Sequence, residues 1–190
     1  MKNKKLWIIL AVVAVLIIAI IASLVGTYNG LVEKKAEVDQ KFAQVQTVLQ
    51  RRSDLIPNLV STVKGYAAHE ESVYTAIADA RAALSGAKTP EEAAAANGEL
   101  DSAISRLLVV VENYPDLKSN ANFIALQDEL AGAENRISTE RGRYNEAVKE
   151  YNTAIKRFPN NIFAGMFGFT AADYFEADDD AQKVPEVSFD

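Results

Sequence analysis

The sequence predicts an all-α protein: an N-terminal transmembrane helix followed by an antiparallel three- to four-helix bundle of long, heptad-patterned helices. Three observations lead there. A run of twenty uncharged residues stands near the N-terminus, and apolar residues beyond it recur at alternating three- and four-residue spacing. Turn-forming residues fall between those periodic stretches, and short connections between long amphipathic segments imply antiparallel neighbours. No stretch beyond the apolar run alternates with period two for long, so no strand array is expected.

The apolar run is Leu6 to Val25, LWIILAVVAVLIIAIIASLV, preceded by the basic segment 1–5, MKNKK. At ~1.5 Å rise per residue, twenty residues cross the ~30 Å hydrocarbon core. A cleavable signal peptide has a shorter apolar region, about 7–15 residues, and a small-x-small cleavage site. This run is longer and offers no convincing A-x-A, so an uncleaved span is expected. Leu24-Val25-Gly26-Thr27 matches a lipoprotein box except that Thr27 stands where the acylated Cys would be. The chain has no Cys, so the helix itself is the expected anchor. Lys2, Lys4 and Lys5 place the N-terminus in the cytoplasm and the remainder outside; Lys34 and Lys35 on the other flank weaken that bias without reversing it.

The first 25 residues hold three of the 20 Lys and Arg and none of the 26 Asp and Glu, leaving 17 basic against 26 acidic side chains. So acidic a domain is a poor partner for nucleic acid, which requires a concentrated basic face. Its bulk surface is equally unsuited to anionic lipid.

Beyond the span, apolar residues fall at Leu31, Val38, Phe42, Val45, Leu49, Ile56, Leu59, Val63, Tyr66, Val73, Ile77, Ala80 and Leu84. With Lys35, Arg52 and Glu70 filling the gaps, the four-three spacing never slips, which is a heptad seam. Pro57 lies within it. Proline removes a backbone donor and crowds the preceding turn, costing ~3 kcal/mol or more. Because the seam keeps phase across Pro57, one helix kinked where residue 57 cannot bond Ser53 is expected. The alternative is a break near Ser53-Asp54, which could cap a new helix. This first helix should end around Ser85-Gly86-Ala87-Lys88.

A second helix starts at Thr89-Pro90-Glu91-Glu92: Thr89 is an N-cap, Pro90 suits the first position, and Glu92 completes a capping box. Its stripe is Leu100, Ile104, Leu107, Val111 and Tyr114, with Pro115 as the stop. A third helix opens near Ser119 or Asn120 and carries Phe123, Leu126, Leu130, Ala133, Ile137, Glu140, Tyr144, Ala147, Tyr151, Ala154 and Phe158, ending at Phe158-Pro159. The organisation is therefore a basic N-terminus at 1–5, a span at 6–25, a helical bundle at 26–175 and an acidic tail at 176–190. The aromatic segment Phe163, Met166, Phe167, Phe169, Tyr174 and Phe175 has no steady period; it either closes the end of the core or contacts a membrane or partner.

Little in the chain points to catalysis. One His and no Cys cannot supply the ligands of a zinc site, so His69-Glu70-Glu71 reads as structural or surface. Asp178-Asp179-Asp180 lacks the glycine and spaced ligands of an EF-hand, and no phosphate loop occurs. Arg52, Glu70 and Glu140 stand out because each occupies a seam position. Buried charge at a helix interface is costly unless paired, and its usual benefit is register. The expectation is that these three lock the register, with an Arg-carboxylate pair among them; the alternative is that the seam opens to water there.

Tyr28-Asn29-Gly30-Leu31-Val32, then RRSDLIPNLVSTVKGYAAHE, ENYPDLKS, AENRIS, RYNEAVKEYN and FPNN-to-FGF, in that order, resemble the LemA family of bacterial membrane proteins. The resemblance covers nearly the whole chain from residue 6. It implies a membrane helix and a helical bundle at the bacterial inner membrane. It supplies no catalytic residues and no cofactor. Genomic neighbourhood with membrane metalloproteases in that family implies a role near envelope quality control. The expected function is a membrane-anchored, non-enzymatic scaffold or adaptor, homo-oligomeric, held by the lipid bilayer through its N-terminal helix. Its further partners would be a membrane protease or other envelope proteins. The alternatives are a cofactor of envelope proteolysis and a direct membrane-remodelling factor.

Overall fold

The computed structural model describes residues 2–176. Met1 and 177–190, which hold the Asp178-Asp180 run and all of the expected acidic tail but Glu176, lie outside the described residues. The described chain is all-helical: α1 (Lys2–Lys64), α2 (Glu71–Gly86), α3 (Pro90–Val111), α4 (Pro115–Lys118), α5 (Ala121–Lys156) and α6 (Asn160–Phe167). Among the described residues there is no strand.

Two compact units arise, one from residues 2–39 with Ala147–Ala172, the other from Gln40–Glu146 with 173–176. Both α1 and α5 contribute to each unit.

In the first unit, Leu31 and Val38 of α1 are buried, as are Ala147, Val148, Tyr151 and Ile155 of α5 and Ala164 of α6. Lys34 Nζ donates to Glu150 Oε2 at 2.9 Å, and that ammonium holds the exposed Glu150 carboxyl below the usual carboxylate range. The chain leaves α5 through a cis Phe158-Pro159 bond. Gly168, at φ 75°, is the left-handed residue that ends α6, a conformation glycine adopts without a Cβ clash.

In the second unit, α1 buries Val45, Leu49, Ile56, Leu59 and Val63. Each such side chain contributes about 1.5–3 kcal/mol of transfer free energy, before the entropy of ordering offsets it. α2 buries Tyr74, Ile77, Ala80 and Leu84 and packs on α3 through the 87–89 connection. α3 begins with the expected capping box: Thr89 Oγ1 accepts from Glu92 N, and the Glu92 carboxylate accepts from Thr89 N. The backbone N–H groups of Lys88 and Thr89 hold the Glu92 carboxyl below its usual value. Thr89→Ala is therefore expected to lower stability by about 1 kcal/mol in a thermal melt. Acidification through pH 4.5 and below should remove the Glu92 half of the box, since a depressed carboxyl pKa stabilises the fold only while the group is ionised. α5 is opened by Asn120, whose Oδ1 accepts from the N–H groups of Asn122 and Phe123.

Several expectations need correction. The first helix does not continue to Ser85. It runs unbroken through Pro57 and ends at Lys64, and residues 65–70 turn before α2. Gly65 follows the last helical residue, and the N–H groups of Tyr66 and Ala67 both close on Val63 O at 2.9 Å. Burial then slides by one position, from the expected Val73 to Tyr74, whose hydroxyl donates to Ala67 O at 2.7 Å. Burial and the neighbouring Glu70 raise the Tyr74 hydroxyl pKa above its ordinary value. Tyr66, expected on the seam, is exposed. Pro115 does not simply stop a helix; it is the first residue of α4, whose Leu117 is fully buried. Phe158, expected on the third stripe, is 82% exposed because α5 has already ended at Lys156. The segment after Pro159, read as aperiodic, contains α6.

Candidate functional site

Trp7 through Ser23 are all exposed, although almost every one is apolar. This stretch belongs to a helix long and apolar enough to cross a membrane. Soluble surfaces rarely present so large a contiguous apolar face. Gly26 and Thr27 of the near-lipobox lie inside α1.

The charged seam residues separate in the structure. Arg52 is buried, with 6% of its surface exposed. Its Nη1 donates to Asn97 Oδ1 at 2.8 Å, and its Nη2 pairs with Asp101 Oδ1. Asn97 Nδ2 donates in turn to Asp101 Oδ2 at 3.0 Å. Glu134 Oε2 of α5 lies 3.1 Å from Nη1, an ion-pair contact rather than an aligned hydrogen bond. One guanidinium on α1 thus engages α3 and α5. Its carboxylate partners are neither Glu70 nor Glu140. Glu70 stands at the N-cap of α2, where its side chain makes no capping bond. Glu140 pairs with Arg143 on its own helix at 2.6 Å, with Oε2 buried and lacking a hydrogen-bond partner among the described residues.

Pro57 has a direct structural consequence one turn earlier. Without an N–H, it leaves the Ser53 carbonyl unbonded within α1. Ser53 is 1% exposed, so water cannot readily fill the gap. Arg81 of α2 does so instead: its Nε donates to Ser53 O at 3.0 Å, with Ser53 Oγ at 3.3 Å. The proline thus exposes an acceptor on which α2 docks. Arg81→Met should cost about 1–2 kcal/mol by leaving that carbonyl unpaired. In a Pro57→Ala background, where the helix can bond its own carbonyl, the same change should cost much less. Equal losses in both backgrounds, read by urea titration, would disprove the coupling.

A second feature is a repeated Tyr-Asn pair on α5. In the first unit, Tyr151 Oη donates to Thr170 O at 2.9 Å, and Asn152 exchanges two bonds with the backbone of Ala172 at 2.8 and 2.9 Å. In the second unit, Tyr144 Oη donates to Asp173 O at 2.8 Å, and Asn145 exchanges two bonds with Phe175 at 2.8 and 2.9 Å. Burial raises the Tyr151 pKa above its ordinary value. The repeat is visible in RYNEAVKEYN. The missing signal was the irregular segment it binds.

The aromatic C-terminal segment is divided. Phe175 is buried, Phe163 and Phe169 are half-buried, and Met166, Phe167 and Tyr174 are exposed. His69 is exposed in the turn before α2, and among the described residues no group of three or more His, Asp or Glu could hold a metal ion.

Comparison with known proteins adds a family. The LemA family model matches residues 41–189. Magnetosome protein MamQ 2 and Magnetosome protein MamQ 1 of Paramagnetospirillum magneticum are each 30% identical over 194 residues, covering 88% of this chain and 71% of the relative. Protein LemA of Metamycoplasma hominis is 23% identical over 154 residues, covering 80% of this chain and 70% of the relative.

Proposed function

The chain belongs to the LemA family, and from that premise we propose a single-pass, membrane-anchored, non-enzymatic scaffold or adaptor that presents a helical bundle at the bacterial envelope. The observation that carries it is α1 itself. Its first part is apolar and exposed on all sides, whereas its later part buries a single stripe among other helices. One helix therefore carries two solvents' worth of patterning, lipid first and protein core afterwards. The Arg52 node supports a structural reading, because a guanidinium neutralised by carboxylates from two other helices joins elements. The bundle works as a homo-oligomer, with its seam helices packed as coiled coil.

Lys2, Lys4 and Lys5 put the N-terminus in the cytoplasm and the bundle outside the inner membrane. Two measurements test this. The full chain should remain in the pellet after alkaline carbonate extraction, and release into the supernatant would remove the anchor. Protease added to spheroplasts should digest the bundle, and protection would reverse the topology. Crosslinking in intact cells reads the oligomer, and recovery of monomer alone would remove that part of the proposal.

A further inference from the structure

We propose that α6 and the turn before it form a foot that inserts into the lipid interface, in the leaflet where the span emerges. This rests on the reading of Leu6 to Val25 as a span and extends it to a second lipid contact.

Phe158 is 82% exposed, Ile162 52% and Met166 72%. Ile162 and Met166 are four apart, so they share one face of α6, while Ala164 on another face is buried. The location of that face follows from its neighbours in the first unit. Ser23, Gly26, Thr27 and Gly30 of α1 line a single open groove together with Ala154 of α5 and Asn160, the first residue of α6. Ser23 is in the last turn of the apolar run, so α6 begins level with the end of the span. Its far end is fixed as well. The Tyr28 ring meets Phe167 edge-on at 5.0 Å and Phe169 at 5.7 Å. Tyr28 lies only three residues past Val25, about 4.5 Å along the helix axis. Both ends of α6 are therefore held at the depth where the headgroups begin, where aromatic side chains concentrate.

Charge selects lipid over a generic apolar partner. The chain beyond residue 25 is acidic, yet residues 151–172 contain Lys156 and Arg157 and no Asp or Glu. Both basic side chains are exposed, directly before Phe158. Basic residues bordering an exposed apolar face are the composition of an interfacial segment, with cations at the phosphates and apolar side chains below them.

Tryptophan fluorescence of the full chain in vesicles of phosphatidylcholine and phosphatidylglycerol tests the proposal. Trp7 is the sole Trp and sits in the span, so the unaltered chain reports on anchoring. In a Trp7→Phe background, Met166→Trp and, separately, Ile162→Trp report on α6. Both probes should emit at shorter wavelength and lose most of their emission to lipids brominated near the headgroup. They should lose less to lipids brominated near the chain end, and little to aqueous acrylamide. A probe quenched by acrylamide and not by bromolipid faces water, and the foot does not exist. A probe quenched by neither is covered by protein, a second copy or a partner, which equally overturns it. If Trp7 is quenched by bromolipid while the α6 probes are not, the foot fails and the span stands. If Trp7 escapes bromolipid, both fail.

Discussion

Arg52→Met lowers the stability of the full chain by about 2–3 kcal/mol, roughly 5–10 °C in melting temperature for a chain of this size. The side chain lost is almost wholly buried, and methionine can refill much of its volume, so a cavity is not the main cost. The cost lies in what is left behind. Asn97, 4% exposed, loses the donor to its Oδ1 and cannot reach water to replace it. Glu134 keeps a buried Oε2 that loses its cation, whereas Asp101 fares better, because its side chain is 39% exposed and can rehydrate. That exposure keeps the loss below the ~3–5 kcal/mol expected when one partner of a fully buried pair is removed. Arg52→Lys should rescue little, since an ammonium cannot span Asn97, Asp101 and Glu134 with a planar fork. Differential scanning calorimetry in detergent decides it. Unchanged melting for Arg52→Met would end the idea that the node ties the helices together.

That node shows how far a sequence can be read. Arg52 was identifiable because a charge on an apolar stripe demands a partner. The partner was not, because Asn97, Asp101 and Glu134 lie on α3 and α5, and period analysis sees one helix at a time. The expected pairing with Glu70 or Glu140 rested on stripe membership, and Glu70 left the stripe when the helix ended at Lys64. The turn at 65–70 was hidden for a related reason. Spacing survives a short turn when the next helix resumes nearly in phase, so an unbroken rhythm did not guarantee an unbroken helix. Pro57 was the loud signal, yet the helix passes through it and ends at Lys64. Local chemistry read well by contrast: the Thr89 capping box and the Asn120 start depend on neighbours within a turn, and both formed. The Tyr-Asn clamps failed to announce themselves because half of each lies in a segment outside the helices, with no period.

Phe175→Ala should cost about 3 kcal/mol, at the lower edge of the range for a buried aromatic, because the site lies in a segment that can relax. Phe175 is 5% exposed. Its ring meets Tyr144 edge-on at 5.7 Å, Phe42 lies 6.3 Å away, and the Arg141 guanidinium sits 4.9 Å from its centroid. The backbone is fixed independently, by the two bonds to Asn145 and by Arg141 Nη2 donating to Glu176 O at 2.6 Å. Asn145→Ala alone should therefore cost less, about 1–2 kcal/mol. The two changes should not add, since once the ring is gone little holds residues 173–176 for the amide to clamp. Hydrogen exchange separates the contributions. Asn145→Ala should speed exchange at the Phe175 amide well before it lowers the global melt, whereas Phe175→Ala should speed it and lower the melt together. Additive losses with a still-protected amide would mean that ring and clamp act separately and that residues 173–176 are not held cooperatively.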